Sequence, residues 1–400
     1  MRLKIEKSRA KGQIFAPPSK SYAHRLLICG ALANGVSEIH GVSSSVDMEA
    51  TLNCIGALGA EYAKTGDTVS IKGGIKEKIG KRCFNCYESG STLRFLIPIV
   101  LLTGDECQLF GSERLMARGL EVYDEIFEKQ NIECIKDKGS ITLKGSLKPD
   151  VFNVRGDISS QFISGLLFAL PLLDGDSVIN ITTPLESSAY VDITIEALKL
   201  FGIEIEKGNS SFYIKGKQKY LPSKQTVEGD YSNGAFLDAF NILDGDVSVL
   251  GLNDSSVQGD KIYQEYFKLL ENSSPTLDIS ACPDLGPVLF ALAGVKNGAT
   301  FTGTKRLKIK ESDRAEAMKA ELSKFGVAVE VYENSVVVHS GAEKPNATLY
   351  GHNDHRIVMA LSVILTLFGG EIDGCEAVRK SYPDFFKEIA KLGIRSEEIK

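Results

Sequence analysis

Asn353-Asp-His-Arg-Ile-Val-Met-Ala-Leu-Ser-Val-Ile-Leu-Thr-Leu-Phe-Gly-Gly-Glu-Ile-Asp-Gly374 is the stretch that decides how the chain folds. It starts with four polar residues, continues through an apolar run from Ile357 to Phe368, breaks at Gly369-Gly370 and ends in a short strand-like segment. A helix that is apolar on nearly every side must be buried, so its polar start is expected at an interface or cleft, not on open surface. Five more stretches are built the same way: Ser21 to Gly41, Ser91 to Gly111, Ser159 to Thr182, Ser232 to Gly251 and Pro283 to Gly303.

Behind most of these runs comes a more amphipathic helical stretch and then two short alternating segments. Glu49 to Gly59 leads into Ala60 to Gly73, Glu121 to Asn131 into Ile132 to Gly145, Asp192 to Gly202 into Ile203 to Gly216, and Ala315 to Gly326 into Val327 to Gly341. The closing glycines Gly73, Gly145 and Gly216 recur about every seventy residues, longer than the common solenoid periods. The sixth copy is incomplete: after its second helix, Pro383 to Gly393, comes a charged tail with no convincing strand pair. The strands it lacks are expected at the N-terminus, Leu3 to Ile5 and Gly12 to Phe15, as a hairpin.

The expected fold class is therefore α/β, with two similar inside-out α/β domains, each of three βαβαββ repeats with apolar helices inside and sheets outside. The first domain is predicted at residues 18–227 and the second at 1–17 with 228–400. Two crossings, near Ala16 to Ser19 and Gln225 to Asp230, join them as a hinge, with a functional cleft between. An ordinary open sheet would leave each covering helix a polar face, which these runs lack.

Composition agrees with this picture. Four hundred residues exceed what one core usually supports. With 43% apolar residues, 24% charged residues and a formal charge of -6, the chain reads as globular, and a dedicated nucleic-acid surface is not expected. Met1 to Lys7 has no apolar signal region and no run is long enough to span a bilayer, so a cytoplasmic protein without membrane contact is expected. The eight cysteines lack metal-ligand spacing beyond Cys83 and Cys86, so no metal is expected. Neither GxGxxG nor GxxxxGK[ST] stands where a nucleotide would need it.

The chemistry sits at the helix starts, where free backbone N–H groups attract anions. Lys20, Ser21 and Arg25 stand at the first, Ser89-Gly-Ser-Thr92 with Arg94 at the second, and Ser159-Ser-Gln161 at the third. Asp230 with Ser232, Asp284, and Asp354 with Arg356 stand at the others. N-capping explains any one of them. Six together, with several Lys and Arg, favour a site for a multiply charged anion. In Lys308-Ile-Lys-Glu-Ser-Asp-Arg314, Asp313 or Ser312 can cap a helix, leaving Glu311 as a proton-transfer group between Lys310 and Arg314. Arg356 can grip a planar carboxylate or a phosphate through two bonds, while Lys380 offers a movable charge. His355 reads equally as a packing or capping residue.

In the order and spacing of these motifs the chain resembles the 5-enolpyruvylshikimate-3-phosphate synthases, or 3-phosphoshikimate 1-carboxyvinyltransferases. The motifs are Pro18-Ser-Lys-Ser21 with Arg25, Ser89-Gly-Ser-Thr-Leu-Arg94, Gly156 through Gln161, Ser187 with Tyr190, Pro283-Asp284, Lys310-Glu-Ser-Asp-Arg314, Asn353-Asp-His-Arg356 and Arg379-Lys380 before Tyr382-Pro383. The resemblance implies the enolpyruvyl transferase fold, no cofactor, and a monomer acting on two small molecules. It implies that shikimate 3-phosphate is held by Lys20, Ser21, Arg25, Ser159, Ser160, Gln161, Ser187, Tyr190, Asp284 and Lys310. Phosphoenolpyruvate would be held by Lys20, Gly90, Arg118, Gln161, Arg314, Arg356 and Lys380, with Arg314 and Arg356 meeting at its carboxylate only when the domains close. Lys20, Asp284 and Glu311 would share the proton transfers.

Two alternatives stand beside this reading. UDP-N-acetylglucosamine enolpyruvyl transferase typically has asparagine after the active-site lysine and a reactive cysteine before the phosphoenolpyruvate arginine. Here Ser21 follows Lys20 and Ser112 to Arg118 holds no cysteine. A non-catalytic protein binding a phosphorylated metabolite would show no turnover. The chain also departs from the family pattern at Gly119 and Ala189, where proline is frequent, and at Glu88, often asparagine.

Overall fold

A computed structural model describes residues 1–75 and 80–399. The six apolar runs are six buried helices: Lys20–Leu32, Gly90–Val100, Ser160–Ala169, Tyr231–Ile242, Gly286–Val295 and His355–Phe368. Their starts follow from capping chemistry. The hydroxyls of Ser19, Ser89 and Ser159 accept from backbone N–H groups of the first turn, as do the carboxylates of Asp230 and Asp354. Three of these caps, Ser19, Ser89 and Asp230, lie two residues before the serines expected to open their helices. Proline sets the fifth start: Pro283–Leu285 forms a 3-10 turn that runs into Gly286–Val295.

The chain forms two compact units, Pro18–Glu228, and Met1–Pro17 together with the residues from Gly229 onward. Each contains three of the buried helices, and each has its own apolar core. Phe95 meets Phe168 edge-on at 5.4 Å in the first, and Phe290 meets Phe301 at 4.7 Å in the second. Among the described residues no helix is long and apolar enough to cross a membrane.

Outside the helices lie small mixed sheets. In the second repeat, Lys81–Asn85 pairs parallel with Glu106–Phe110, which pairs antiparallel with Ser140–Lys144, itself paired with Glu133–Lys136. The third and fifth repeats copy this order. In the first repeat the parallel partner comes from far along the chain: Lys224–Thr226 adds beside Val36–His40 and completes that sheet. The alternating segments bury one face in two, as Thr68–Lys72 does through Val69 and Ile71.

The N-terminal hairpin does not form. Arg2–Ile5 lies antiparallel between Gly370–Asp373 and Ser396–Ile399, whereas Lys11–Phe15 pairs parallel with Asp246–Leu250. The two N-terminal strands therefore complete two different sheets, the sixth and the fourth. The charged tail expected to lack a strand supplies one, because in its register Lys4 stands opposite Glu397 and Ile5 opposite Ser396. An edge strand can carry charge on its open side without loss of pairing.

The recurrent glycines are explained by close approach. A Cβ on Gly73 would run into the carbonyl oxygens of Gly30 and Ala33, at the exit of the first buried helix. One on Gly216 would meet those of Gly175 and Leu173, after the third helix. Both glycines let a hairpin close against a helix end, whereas Gly145 is set by its left-handed φ of 133°.

Candidate active site

In the unit Pro18–Glu228, hydrogen bonds join the second and third helix starts. Arg94, buried on the second helix, donates Nη1 to Gln161 Oε1 at 2.7 Å, and Gln161 donates Nε2 to Ser91 Oγ at 2.9 Å. The other Arg94 nitrogen, Nη2, donates to Arg118 O at 3.0 Å, and its guanidinium lies over Phe162. Gly90 faces Arg118 so closely that an added Cβ would stand 2.9 Å from Nη1 of that arginine. Lys20 at the first start pairs with Asp47 at 2.9 Å, both side chains partly buried. Sequence spacing offers no sign of this pair, since Asp47 lies in the first turn of a different helix, Val46–Leu58.

Arg25 is buried and mostly engaged by protein. Nε donates to Thr194 Oγ1 at 2.7 Å, Nη1 to Ser21 O at 2.6 Å, and Nη2 to Tyr190 O at 2.8 Å and Ser164 Oγ at 3.5 Å. With four of a guanidinium's five N–H donors so directed, Arg25 chiefly staples the first helix to the third and to Ser188–Leu200. Tyr190 lies in that helix, and Ser187, just before it, is buried with a left-handed φ of 54°. Ser159 and Ser160 are buried at the third start.

His24 lies beneath this layer, its Nδ1 2.7 Å from Thr51 Oγ1, which in turn is 2.8 Å from Thr92 Oγ1. Burial first, then the charges of Lys20 and Arg25, hold the imidazole well below its usual range. The unfolded chain takes up a proton as pH falls through about 6.5, and the folded chain does not. Stability from this group is complete above that pH and is lost progressively below it. Protection factors of residues 20–32, taken against the intrinsic exchange rate at each pH, are therefore expected to fall between about pH 7.5 and 5.5, and that acid component should be missing in His24→Asn. Equal slopes in the two proteins would exclude this role for His24.

In the second unit the charged groups converge on two aspartates. Arg314 starts the helix Arg314–Ser323, capped by Asp313. Arg314 donates Nε to Asp354 Oδ2 at 2.9 Å, Nη1 to Asp284 Oδ1 at 2.7 Å and Nη2 to Glu311 Oε2 at 2.9 Å. Asp284 also takes Lys310 Nζ at 3.2 Å and Arg356 Nη2 at 3.4 Å. Burial alone would raise the Asp284 carboxyl, but Lys310, Arg356 and Arg314 outweigh it and hold it well below the usual range. For Lys310 burial wins over the pull of Asp284, and its ammonium is lowered. The Arg314 guanidinium is raised well above its usual value: Asp354, Glu311 and Asp284 overcome its burial.

Arg314 and Arg356 thus belong to one unit and share Asp284, which corrects the expectation that they meet only on domain closure. Both reach it from the first turn of a helix, and Asp284 itself lies in the turn Pro283–Leu285. Asp354, expected only as a helix start, also orients Arg314. It is fully buried, accepts the Ser312 hydroxyl at 3.0 Å and receives the Arg356 N–H at 2.9 Å. The approach to it is shaped by Glu321, which binds His352 Nε2 at 2.8 Å and Tyr350 N at 2.9 Å. His352 and Asn353 then take left-handed φ values of 50° and 51°, and the Asn353 carbonyl accepts Lys380 Nζ at 2.8 Å. His355 is buried beside Asp354, its Nδ1 3.9 Å away.

The sequence profile of the EPSP synthase (3-phosphoshikimate 1-carboxyvinyltransferase) family matches residues 5–389. A 3-phosphoshikimate 1-carboxyvinyltransferase of Clostridium kluyveri is 42% identical over 417 aligned residues, covering 98% of each chain. One of Clostridioides difficile is 41% identical, covering 99% of this chain and 98% of its own. In fold, the chain is similar to an EPSP synthase from Acinetobacter baumannii, with a TM-score of 0.80 at 21% identity over the whole of both chains. It is also similar to the enolpyruvyl transferase NikO from Streptomyces tendae, with a TM-score of 0.78 at 14% identity over 99% of this chain and 98% of that one. With a family profile spanning almost its whole length and relatives above 40% identity end to end, the chain belongs to the EPSP synthase (3-phosphoshikimate 1-carboxyvinyltransferase) family.

Proposed function

We propose that the chain transfers the enolpyruvyl group of phosphoenolpyruvate to the 5-hydroxyl of shikimate 3-phosphate, giving 5-enolpyruvylshikimate 3-phosphate and inorganic phosphate. The observation that carries the assignment of roles is the cluster in which Arg314, Arg356 and Lys310 converge on Asp284 beside Glu311. An arginine pair suited to a carboxylate stands beside two carboxylates suited to proton transfer, which supports this reading.

Shikimate 3-phosphate is assigned to Lys20, Ser21, Arg25, Ser159, Ser160, Gln161, Ser187 and Tyr190, with Asp284 and Lys310 at its hydroxyls. The capped helix starts support this, since Ser19, Ser89 and Ser159 are neutral caps that leave the positive end of each helix for a phosphate. Phosphoenolpyruvate is assigned to Lys20, Gly90, Arg118, Gln161, Arg314, Arg356 and Lys380. The hydroxyl oxygen adds to C2 of phosphoenolpyruvate while C3 takes a proton, giving a tetrahedral ketal phosphate. The C2–O bond to phosphate then breaks and a methyl proton leaves, restoring the double bond. Asp284 accepts the hydroxyl proton, Glu311 gives and removes the methyl proton, and Lys20 neutralises the phosphate as it departs.

The test is phosphate release and enol-ether formation from shikimate 3-phosphate and phosphoenolpyruvate. Turnover with UDP-N-acetylglucosamine in place of shikimate 3-phosphate would reverse the acceptor, and no turnover with either would leave a binding protein. A second expectation concerns Gly90→Ala. The new methyl must push the Arg118 guanidinium aside, so KM for phosphoenolpyruvate is expected to rise about tenfold with little change in kcat. An unchanged KM would remove Gly90 and Arg118 from the phosphoenolpyruvate site.

A further inference from the structure

We infer that Asp284 is the resident counter-ion of the arginine pair, and that phosphoenolpyruvate binds by exchanging its carboxylate for that of Asp284 on Arg314 and Arg356. The inference rests on reading this cluster as the phosphoenolpyruvate site, and it adds how that site is kept before the substrate arrives.

Arg314 is held by three carboxylates: Glu311, which reaches Arg314 alone of the two arginines, and two unlike aspartates. Asp354 takes Nε at 2.9 Å and Nη2 at 3.4 Å, has no exposed surface, and is tied to Ser312 and to the start of the sixth buried helix. It cannot leave without uncapping that helix. Asp284 takes Nη1 at 2.7 Å, with 18% of its side chain exposed, and it also bridges to Arg356 and Lys310. Of the two, only Asp284 stands where solvent and an incoming anion reach, and it can turn away by side-chain rotation alone.

Arg356 points the same way. Among the described residues its buried Nε and Nη1 have no hydrogen-bond partner, its Nη2 reaches Asp284 at 3.4 Å, and its guanidinium lies 5.6 Å from the Phe236 ring centroid. A buried guanidinium with spare donors is costly unless something fills them. One side-chain carboxylate cannot serve Arg314, Arg356 and Lys310 equally, and a second carboxylate bound between the arginines would satisfy the spare N–H groups. The exchange also has a chemical consequence. Released from both arginines, Asp284 keeps only Lys310 of the three cations that hold it down and becomes more basic, so the arrival of the second reactant favours its taking the hydroxyl proton.

Two replacements at the same arginine separate this from a general charge effect. Equilibrium binding of radiolabelled phosphoenolpyruvate alone to the full chain avoids turnover. Asp284→Asn is expected to tighten it about tenfold, because an amide competes poorly with a carboxylate for a guanidinium. Asp354→Asn is expected to weaken it about tenfold, because Arg314 loses its fixed partner. Ser312→Ala, which removes only the hydroxyl donated to Asp354, is the milder second variant and should weaken binding by about threefold. If Asp284→Asn binds no tighter than the parent, or if both asparagine variants tighten alike, the counter-ion role is overturned. Phosphate release by the parent is measured separately. A parent that turns over beside an Asp284→Asn protein that binds no tighter defeats this inference and leaves the function standing, whereas a parent without turnover defeats the function.

Discussion

Arg314→Ala is expected to lower kcat/KM about a thousandfold and to destabilise the second unit by about 3–5 kcal/mol. The two effects have one cause. The guanidinium, 1% exposed, is the shared partner of Asp354, Asp284 and Glu311. Its removal strands the fully buried Asp354 and takes away half of the proposed carboxylate clamp. Arg314→Lys should recover part of the stability and little of the activity, since one ammonium cannot make three directed bonds in a planar fork. Steady-state kinetics beside denaturant unfolding decides the matter. An alanine variant within tenfold of the parent in kcat/KM would place the phosphoenolpyruvate carboxylate elsewhere.

Lys20→Met is expected to act in the opposite proportion. The pair with Asp47 is partly open to solvent, and such pairs contribute about 1 kcal/mol or less to stability. Its loss should therefore hardly move the unfolding transition. Turnover should fall about a thousandfold, because Lys20 is the proposed neutraliser of the phosphate that leaves. Asp47→Asn frees the ammonium without removing it, and a loss of about tenfold or less is expected there. A Lys20→Met protein with parental kcat and KM would take Lys20 out of the site.

The buried helices were legible in the sequence because a run such as Ile357 to Phe368 has no polar face to give to water, so burial follows from composition alone. Their partners in the sheets were not. Leu3 to Ile5 and Gly12 to Phe15 alternate as strands should, but alternation states which face is buried and not which strand lies alongside. Adjacent strands in sequence suggested a hairpin, and the fold instead sends each to a different sheet. Ser396–Ile399 was hidden for another reason: its glutamates suit a solvated tail as well as they suit an edge strand.

At the site, residue types were legible and pairings were not. Lys, Arg and Asp at helix starts announce anion chemistry wherever they occur. That Arg314 and Arg356 share Asp284, that Asp47 faces Lys20, and that Arg25 spends its donors on Thr194 and Tyr190 are products of tertiary closure across 27 to 169 residues of chain. The Glu321–His352 pair carries no motif at all. Its only advance signal was an acidic residue on the otherwise apolar side of the Arg314–Ser323 helix.

The separate destinations of the two N-terminal strands also set an order of assembly during synthesis. Every residue of Pro18–Glu228 is made before Gly229, so that unit has all its partners early. Lys11–Phe15 leaves the ribosome ahead of that unit, yet its ladder partner ends at Leu250, and Arg2–Ile5 waits for Gly370–Asp373 and Ser396–Ile399. For most of translation the nascent chain trails two open strand edges behind a finished unit, a state exposed to wrong pairing with other chains. Moving codons 1–17 behind codon 399 would shorten that wait for both strands and keep their ladder partners, with the loss of the Met1 ammonium's pair with Glu376.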